Sequence, residues 1–458
     1  MSGTAATTVR SGAQPGSPTP DTWRAAAIAI LVGGLLVGDR AAGGRAVRGA
    51  TGLAAALAPL AALPIARASR RPPIRPAPQD RADDAELPTM SVLVAARDEA
   101  SVIERLIEDL AAQDHRTAEG RPRFELIIVD DRSIDGTAQV ALRAAARAGI
   151  GDVTRFARRA GDDLPDGKGA ALSAIPPEDC RGDVVTVLDA DARIGPSYLR
   201  TLAGYVAAGA GAVTARRRVL AAGSSSLAGA QADEQTVDGL IQRGRWALGG
   251  CSEFRGNGIT LRRELLARVG GWRSEALTED LDLSARVAAE TGVRVAWAID
   301  AEAWEEPVGT VDALWRQRVR WAEGAIRRVL EHGPAVVGST RLSPFARLDF
   351  ATYAAQLALP PIVWGVILGS LRRGRPGPAI VLLGGYASAS CVLAWDALRW
   401  EHESDGAALP ARERARRAGR VTVFGSIWLA AVPAALWRLA TRSGPVRYEK
   451  MVHGETTP

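Results

Sequence analysis

Apolar residues in this chain are sorted into long uncharged runs near its two ends, and that sorting limits the fold more than any other feature. Ala25–Gly38 and Gly49–Ala66 precede the central part; Phe350–Leu371, Gly377–Trp395 and Val421–Trp437 follow it. Runs of this kind suit helices in a bilayer, where every backbone polar group must be satisfied within the segment. The first run is short for a span. It reads as a helix extended by Trp23 and a snorkelling Arg24, or as the h-region of a signal peptide. Together with Gly49–Ala66 it reads better as a helical hairpin. The expectation is therefore two spans in 22–66 and three in 350–440, around a soluble domain running from Met90 to His332. One segment being re-entrant stays open, because five spans leave the Arg372–Arg375 turn outside, against the positive-inside trend.

The remaining stretches fit this plan. Residues 1–21 are rich in Ser, Thr, Gly and Pro and are expected to be disordered. Residues 67–89 form a basic, Pro-rich linker that cannot continue a helix, and 441–458 form a tail. The formal net charge of +6 comes with arginines clustered beside the apolar runs, as membrane-flanking residues are. No recognition motif accompanies the charge, so nucleic acid is not an expected partner. Cys180, Cys251 and Cys391 are too scattered for a disulfide framework or a zinc site.

From Met90 short apolar runs alternate with amphipathic stretches. Ser91–Ala95, Leu126–Val129 and Asp183–Leu188 read as buried strands. A helix with Val102, Ile103, Leu106, Ile107 and Leu110 on one face follows the first, and Thr137–Ala148 follows the second. This alternation predicts an α/β domain with a parallel sheet and helices on its faces.

Four sites in that domain carry chemistry. In LIIVDDRSIDGT, Asp130 and Asp131 end a strand, where an open sheet presents ligand sites, and Thr137 is placed to cap the next helix. In VVTVLDADARI, Asp189 and Asp191 flank one small residue; alternate residues of an extended chain point the same way, so both carboxylates can converge on one hard cation. In ALTEDLDLSARV, Thr278 suits an N-cap and Glu279, Asp280 and Asp282 fall in the first turn. These acids either compensate the helix dipole or supply a general base. In the helix TVDALWRQRVRWAEGAIRRVL, over 311–332, Gln317, Arg320 and Trp321 share a face. They offer an amide, a guanidinium for phosphate and an indole for a sugar ring, although a basic helix bearing Trp also suits a membrane surface. The Asp130–Asp131 and Asp189–Asp191 motifs, each taken alone, also read as solvated loops after a strand.

In this order and spacing the four sites resemble the membrane-bound, family-two inverting glycosyltransferases, among them cellulose, hyaluronan and poly-N-acetylglucosamine synthases and ceramide glucosyltransferases. The likeness covers Met90–His332 and extends to the flanking membrane helices. It implies the GT-A fold, a Rossmann-like α/β domain flanked by transmembrane helices, with a nucleotide sugar as donor, uridine as its base, and a divalent metal, Mg²⁺ or Mn²⁺. It places Asp98 and Asp131 near the uridine and Lys168, in DGKGAAL, near the nucleotide. Asp189 and Asp191 then hold donor and metal, and Asp280 is the base. Gln317, Arg320 and Trp321 close over diphosphate and acceptor, beside Glu279. Gly256, Asn257 and Gly258, in FRGNGITLRREL, look like the acceptor-side segment, without the cysteine several polymerising synthases carry there. Arg132 stands where a small residue often follows the paired aspartates. The acceptor is expected to be a lipid or a growing glycan. The location is expected to be the cell (plasma) membrane, multi-pass, with the catalytic domain cytosolic beside the Arg-rich Arg399–Arg420 loop. The rival reading is a catalytically silent scaffold for an envelope-assembly complex.

Overall fold

The computed structural model describes residues 20–71, 87–161, 164–402 and 406–442. Residues 1–19, most of the 67–89 linker and the tail beyond 442 lie outside the described residues. Two helices, α1 (Pro20–Gly43) and α2 (Arg45–Ala68), lead into an eight-stranded sheet. Its strands are β1 (Met90–Ala96), β2 (Phe124–Asp131), β3 (Thr154–Arg159), β4 (Val184–Asp189), β5 (Arg193–Ile194), β6 (Ala212–Val219), β7 (Ile259–Arg262) and β8 (Val295–Glu305), in the order β3-β2-β1-β4-β7-β6-β8-β5. The half built from β3, β2, β1 and β4 is parallel, as expected. The other half corrects that expectation, since β7 runs antiparallel to both β4 and β6, and β5 antiparallel to β8.

Nearly every residue of β1, β2 and β4 is buried, because helices cover both faces. Alternation then divides the core into two layers. Val92, Val94 and Ile128 pack with Ile103, Leu106 and Leu110 of α3 (Ile103–Ala111), and with α4 (Thr137–Arg147). Leu93, Ile127 and Val187 pack with Leu172 of α5 (Lys168–Leu172), and with Phe254 and Trp272. The register decides where the site lies: Ala96 stands beside Asp130 and Ala95 beside Asp189, so the strand ends bearing Asp98, Asp131 and Asp189 share one sheet edge.

The remaining helices are α6 (Tyr198–Ala207), α7 (Ser226–Leu248), α8 (Arg263–Arg268), α9 (Glu279–Thr291), α10 (Val311–Gly338), α11 (Pro344–Ala355), α12 (Leu359–Arg372), α13 (Gly377–Ala397), α14 (Ala411–Gly425) and α15 (Ile427–Thr441). The helix expected over 311–332 therefore continues past His332, through Pro334. Among the described residues four helical stretches are long and apolar enough to cross a membrane: Asp21–Gly43, Pro344–Arg372, Gly377–Trp400 and Ala411–Thr441. In α1 a Cβ on Gly34 would come within 2.6 Å of Pro361 in α12, so the missing side chain is what lets these helices pack closely. Asp39 at the far end of α1 pairs with Arg372 and Arg373, which offsets the positive charge of the Arg372–Arg375 turn.

The last of the four stretches, α14 and α15 joined at Ser426, is tied to the domain along its length. Arg417 and Arg420 donate to Asp233 of α7 at 2.7 and 2.8 Å, the Trp428 indole donates to Glu234 at 2.8 Å, and Arg442 reaches Glu323 of α10 at 3.5 Å. Contacts to α7 and α10 therefore hold both of its ends. The Arg399–Arg420 stretch is likewise not wholly a loop, because α14 begins at Ala411.

Candidate active site

The cleft is built around Lys168, the first residue of α5. Its ammonium donates to the Asp189 carboxylate and, at 2.9 Å, to the Gly256 carbonyl, and stands 3.6 Å from Glu279. Burial alone would lower its pKa; Asp189 and Glu279 more than offset this and hold it above the usual lysine range. One cation thus joins three segments that lie far apart in sequence. Gly256 has φ +61°, a left-handed conformation suited to glycine, and a Cβ there would stand 3.9 Å from Asp280.

Glu279 and Asp280 open α9. Thr278 holds the N-cap position, but its side chain makes no capping bond, which departs from the sequence expectation. Instead it packs on Gly324 of α10, where any Cβ would collide with it. Thr137 is likewise no cap: Gly136 holds that position, and the Thr137 hydroxyl donates to Asp135 at 2.5 Å while accepting from Glu99 N–H at 2.7 Å. Burial raises the carboxyl of Asp280 above the usual aspartate range, and burial with the Asp280 charge raises that of Glu279 against the opposing pull of Lys168.

Asp189 and Asp191 flank Ala190 as the spacing predicts. Burial, then the charges of Asp189 and Glu305, push the Asp191 carboxyl up to about 7. Two buried polar atoms here lack a hydrogen-bond partner among the described residues: the Tyr198 hydroxyl and the Asn257 amide nitrogen. The Asn257 side-chain oxygen accepts from the Asp189 N–H at 3.2 Å, so Asn257 belongs to the Asp189 side as much as to the acceptor-side segment. Crowded carboxylates with orphaned polar atoms beside them fit a hard divalent cation and its ligands, with Asp189 and Asp191 as the residues to hold it.

Asp98, Asp130 and Asp131 form a neighbouring subsite that is not uniform. Asp98 has φ +53° and accepts from Ile134 N–H at 2.8 Å, which ties the two strand-end loops together. Asp131 is held by Arg159 at 2.7 Å and Arg132 at 3.0 Å, and Arg132 also donates to Asp166 at 2.7 Å. Alternation along β2 turns Asp130 to the other face, where it accepts from Ser133 N–H at 3.2 Å and lines a polar recess with the start of α4. The adjacent aspartates therefore point to opposite faces of the sheet.

On α10, Gln317 is buried, and Arg320 and Trp321 are half-buried. Arg318, which the sequence reading passed over, donates to the Gln317 amide oxygen and lies 4.4 Å from the Trp321 ring centroid. Arg217 of β6 approaches the same ring at 5.5 Å and pairs with Glu305 at 3.0 Å. Trp321 is thereby linked through Arg217 to Glu305, whose charge also acts on the Asp191 carboxyl. Sequence reasoning missed Arg217, Glu305 and Tyr198; the triple arginine 216–218 was the available signal.

Beneath the cleft, Glu253 is enclosed by Arg328 and Arg255. Burial would raise its carboxyl, but Arg328, Arg255 and Arg245 hold it at about 2. Glu253→Ala is expected to destabilise the fold by about 3–5 kcal/mol, because it leaves Arg328 buried without its counter-charge. Since the folded pKa is depressed, the wild type should lose this stabilisation as pH falls from the ordinary glutamate range toward about 2. Thermal unfolding of both proteins in detergent, at neutral and acid pH, checks this: their midpoints should converge in acid.

A sheet edge presenting Asp98, Asp131 and Asp189, closed by a lysine, an acidic helix start and a Gln-x-x-Arg-Trp helix, defines a glycosyltransferase that uses a nucleotide sugar. The family described as "Glycosyltransferase like family 2" matches residues 88–324, and the chain belongs to it. It is an inverting enzyme, and the scaffold reading gives way to catalysis. Among relatives, the beta-monoglucosyldiacylglycerol synthase of Synechocystis sp. is 31% identical over 81% of this chain and 76% of its own length. The poly-beta-1,6-N-acetyl-D-glucosamine synthase of Staphylococcus aureus is 27% identical over 52% of this chain and 55% of its own. In fold the chain is similar to the mannosyltransferase PcManGT from Pyrobaculum calidifontis, solved with GDP-Man and Mn²⁺, with a TM-score of 0.54 and 19% identity over 92% of this chain and 99% of that one. The mixed sheet with its helices is thus the GT-A fold, beside candidate membrane helices.

Proposed function

We propose that the protein transfers one hexose, in the first instance glucose from a uridine-diphosphate donor, to the free hydroxyl of a diacylglycerol. The observation that carries the acceptor choice is the reach of the likeness. The diacylglycerol glucosyltransferase matches 81% of this chain, well beyond the catalytic domain, whereas the polysaccharide synthase matches 52%. The reaction is one in-line displacement. The acceptor oxygen attacks the anomeric carbon, Asp280 takes its proton, and the bond from that carbon to the phosphate oxygen breaks, releasing the nucleotide diphosphate with inversion. Lys168 and Arg320 face the developing negative charge, and Trp321 positions the acceptor. Asp189 and Asp191 would hold a divalent cation, which when bound would neutralise charge on the diphosphate. Asp98 and Asp131 hold the base and ribose. The domain sits on the cytosolic side, with α1, α2, the α11–α12 stretch and α13 crossing the plasma membrane and α14–α15 returning.

Purified protein in lipid nanodiscs, given labelled nucleotide sugars with diacylglycerol, tests this. The expected product is a chloroform-soluble monoglycosylated lipid formed fastest from the glucose donor. A water-soluble high-mass ladder made without diacylglycerol would overturn the reading.

A further inference from the structure

Asp282 ends the acidic run at the start of α9, and the proposed chemistry leaves it unused. It is buried, and its carboxylate lies 2.8 Å from His332 Nε2 on α10. Burial would raise the Asp282 carboxyl, but the His332 bond, Arg286 and Arg273 hold it below the usual aspartate range. An ionised carboxylate only accepts, so His332 Nε2 is the donor. Arg273 Nη1 stands 3.3 Å from the same carboxylate, 2.6 Å from Glu331 and 3.3 Å from His332 Nε2. The ligand atoms of Asp282, Glu331 and His332 all lie within 4.8 Å of one another, as around a metal ion. Here the Arg273 guanidinium stands among them, so the chain supplies the cation itself.

This knot joins every segment that brings a group to the chemistry. Arg273 belongs to the stretch between α8 and α9 that leads into Glu279 and Asp280. A Cβ on Gly169, next to Lys168 in α5, would come within 2.9 Å of the Arg273 carbonyl and 3.2 Å of the Glu279 Cβ. The stretch therefore rests directly on α5. On its other side Thr278 packs against Gly324 of α10, and the Asp282–His332 bond makes a second attachment further along the same helix. The lead-in to the proposed base is thus held between the helix of Lys168 and the helix of Gln317 and Trp321.

We infer that His332, with Arg273, is a positioning group for proton transfer, fixing the start of α9 against α10 so that Asp280 meets the acceptor hydroxyl beside Trp321. The inference rests on the reading of Asp280 as the base and adds what holds it in place. Asp282 does not need His332 for its charge, because Arg286 of the same helix donates to it at 2.8 Å and is itself anchored on the Val269 carbonyl at 2.6 Å. Buried ionic groups add little net stability, since desolvation offsets their attraction. What the bonds from His332 and Arg273 add is geometry. Misplacing a reacting group by about 1 Å can cost about 100-fold in rate.

The test uses the full chain in nanodiscs, with UDP-glucose and diacylglycerol. His332→Leu removes the donor to Asp282, and His332→Gln keeps a nitrogen close to the Nε2 position. His332→Leu is expected to lower kcat about 10–100-fold, with KM for UDP-glucose and nucleotide-diphosphate binding within about twofold of wild type. His332→Gln should bring kcat back to within about threefold. Arg273→Lys keeps the charge but loses the fork that reaches several groups; it should lower kcat about tenfold, and it carries the test if His332→Leu does not fold. Leu110→Ala is the control for stability alone, since the core layer it belongs to contains no residue of α9 or α10. It should lower the melting midpoint and leave kcat within about twofold. Hydrogen exchange needs no acceptor: amides of Leu281–Leu283 should exchange faster in His332→Leu and not in Leu110→Ala. Normal kcat in both latch variants, an equal kcat loss in Leu110→Ala, failure of His332→Gln to recover, loss of donor binding alongside kcat, or unchanged exchange at the start of α9 would each overturn the positioning role. None of these touches the base reading while Asp280→Asn stays slow; normal turnover in Asp280→Asn would overturn that reading, and this inference with it.

Discussion

Asp280→Asn is expected to lower turnover by about 10²–10⁴-fold while nucleotide-diphosphate binding stays within about twofold of wild type. The substitution keeps the size of the side chain and its place at the start of α9, but removes the proton acceptor. Asp280 stands beside Gly256, and its position at the start of α9 lets it accept from Leu281 N–H at 2.8 Å. Because burial raises its carboxyl above the usual aspartate range, it is a stronger base than an exposed aspartate and remains suited to act near neutral pH. Turnover of the purified variant, measured with titration of nucleotide diphosphate by calorimetry, separates the two effects. Normal turnover would show that the acids at the start of α9 only compensate the helix dipole, and would move the base elsewhere. Loss of binding together with turnover would place Asp280 on the donor instead.

How much of this was legible in the sequence depended on how local each signal was. The strands β1, β2 and β4 stood out because both of their faces are buried, so they read as unbroken apolar runs between turn residues. The α3 face was legible for the same reason, since Ile103, Leu106, Ile107 and Leu110 keep helical spacing and are all buried. By contrast β6 and β8 carry charge where a strand normally hides apolar side chains. Arg216 and Arg217 are accommodated there only because Glu302, Glu401 and Glu305 meet them from distant parts of the chain. The antiparallel β7 was invisible for a related reason: nothing local in a four-residue strand specifies its neighbours.

Within the site, the motifs named the residues but not their partners. Lys168 is 21 residues from Asp189 and 88 from Gly256. Only the fold brings them onto one ammonium. The Arg217–Glu305 link between Trp321 and Asp191 spans 88 residues and belongs to no motif. The fate of Val421–Trp437 is the same lesson in the membrane part. Its composition suits a span, but its ties to Asp233, Glu234 and Glu323 are contacts that no window over the segment contains.

Asp191→Asn should separate binding from stability in the opposite sense to an ordinary destabilising change. In the wild type the Asp191 carboxyl is pushed up to about 7, first by burial and then by Asp189 and Glu305. Its ionised form therefore costs the folded chain stability, and that cost grows as pH rises from about 4 to about 7 and is level above. Asparagine is nearly isosteric and uncharged, so the variant's melting midpoint without ligands should equal or exceed that of the wild type at neutral pH. Its binding should fail. Loss of a residue that only supports a metal ligand typically weakens metal binding by about 10–100-fold, so loss of a direct carboxylate ligand should weaken joint binding of Mn²⁺ and nucleotide diphosphate by at least about 100-fold. Calorimetric titration of Mn²⁺ with the nucleotide present, alongside thermal melting without either, reads both quantities on the same preparations. A variant that binds the pair normally would remove Asp191 from the cation site. One that melts far below the wild type would show that the carboxylate is structural, its charge stabilised in the folded chain despite Asp189 and Glu305.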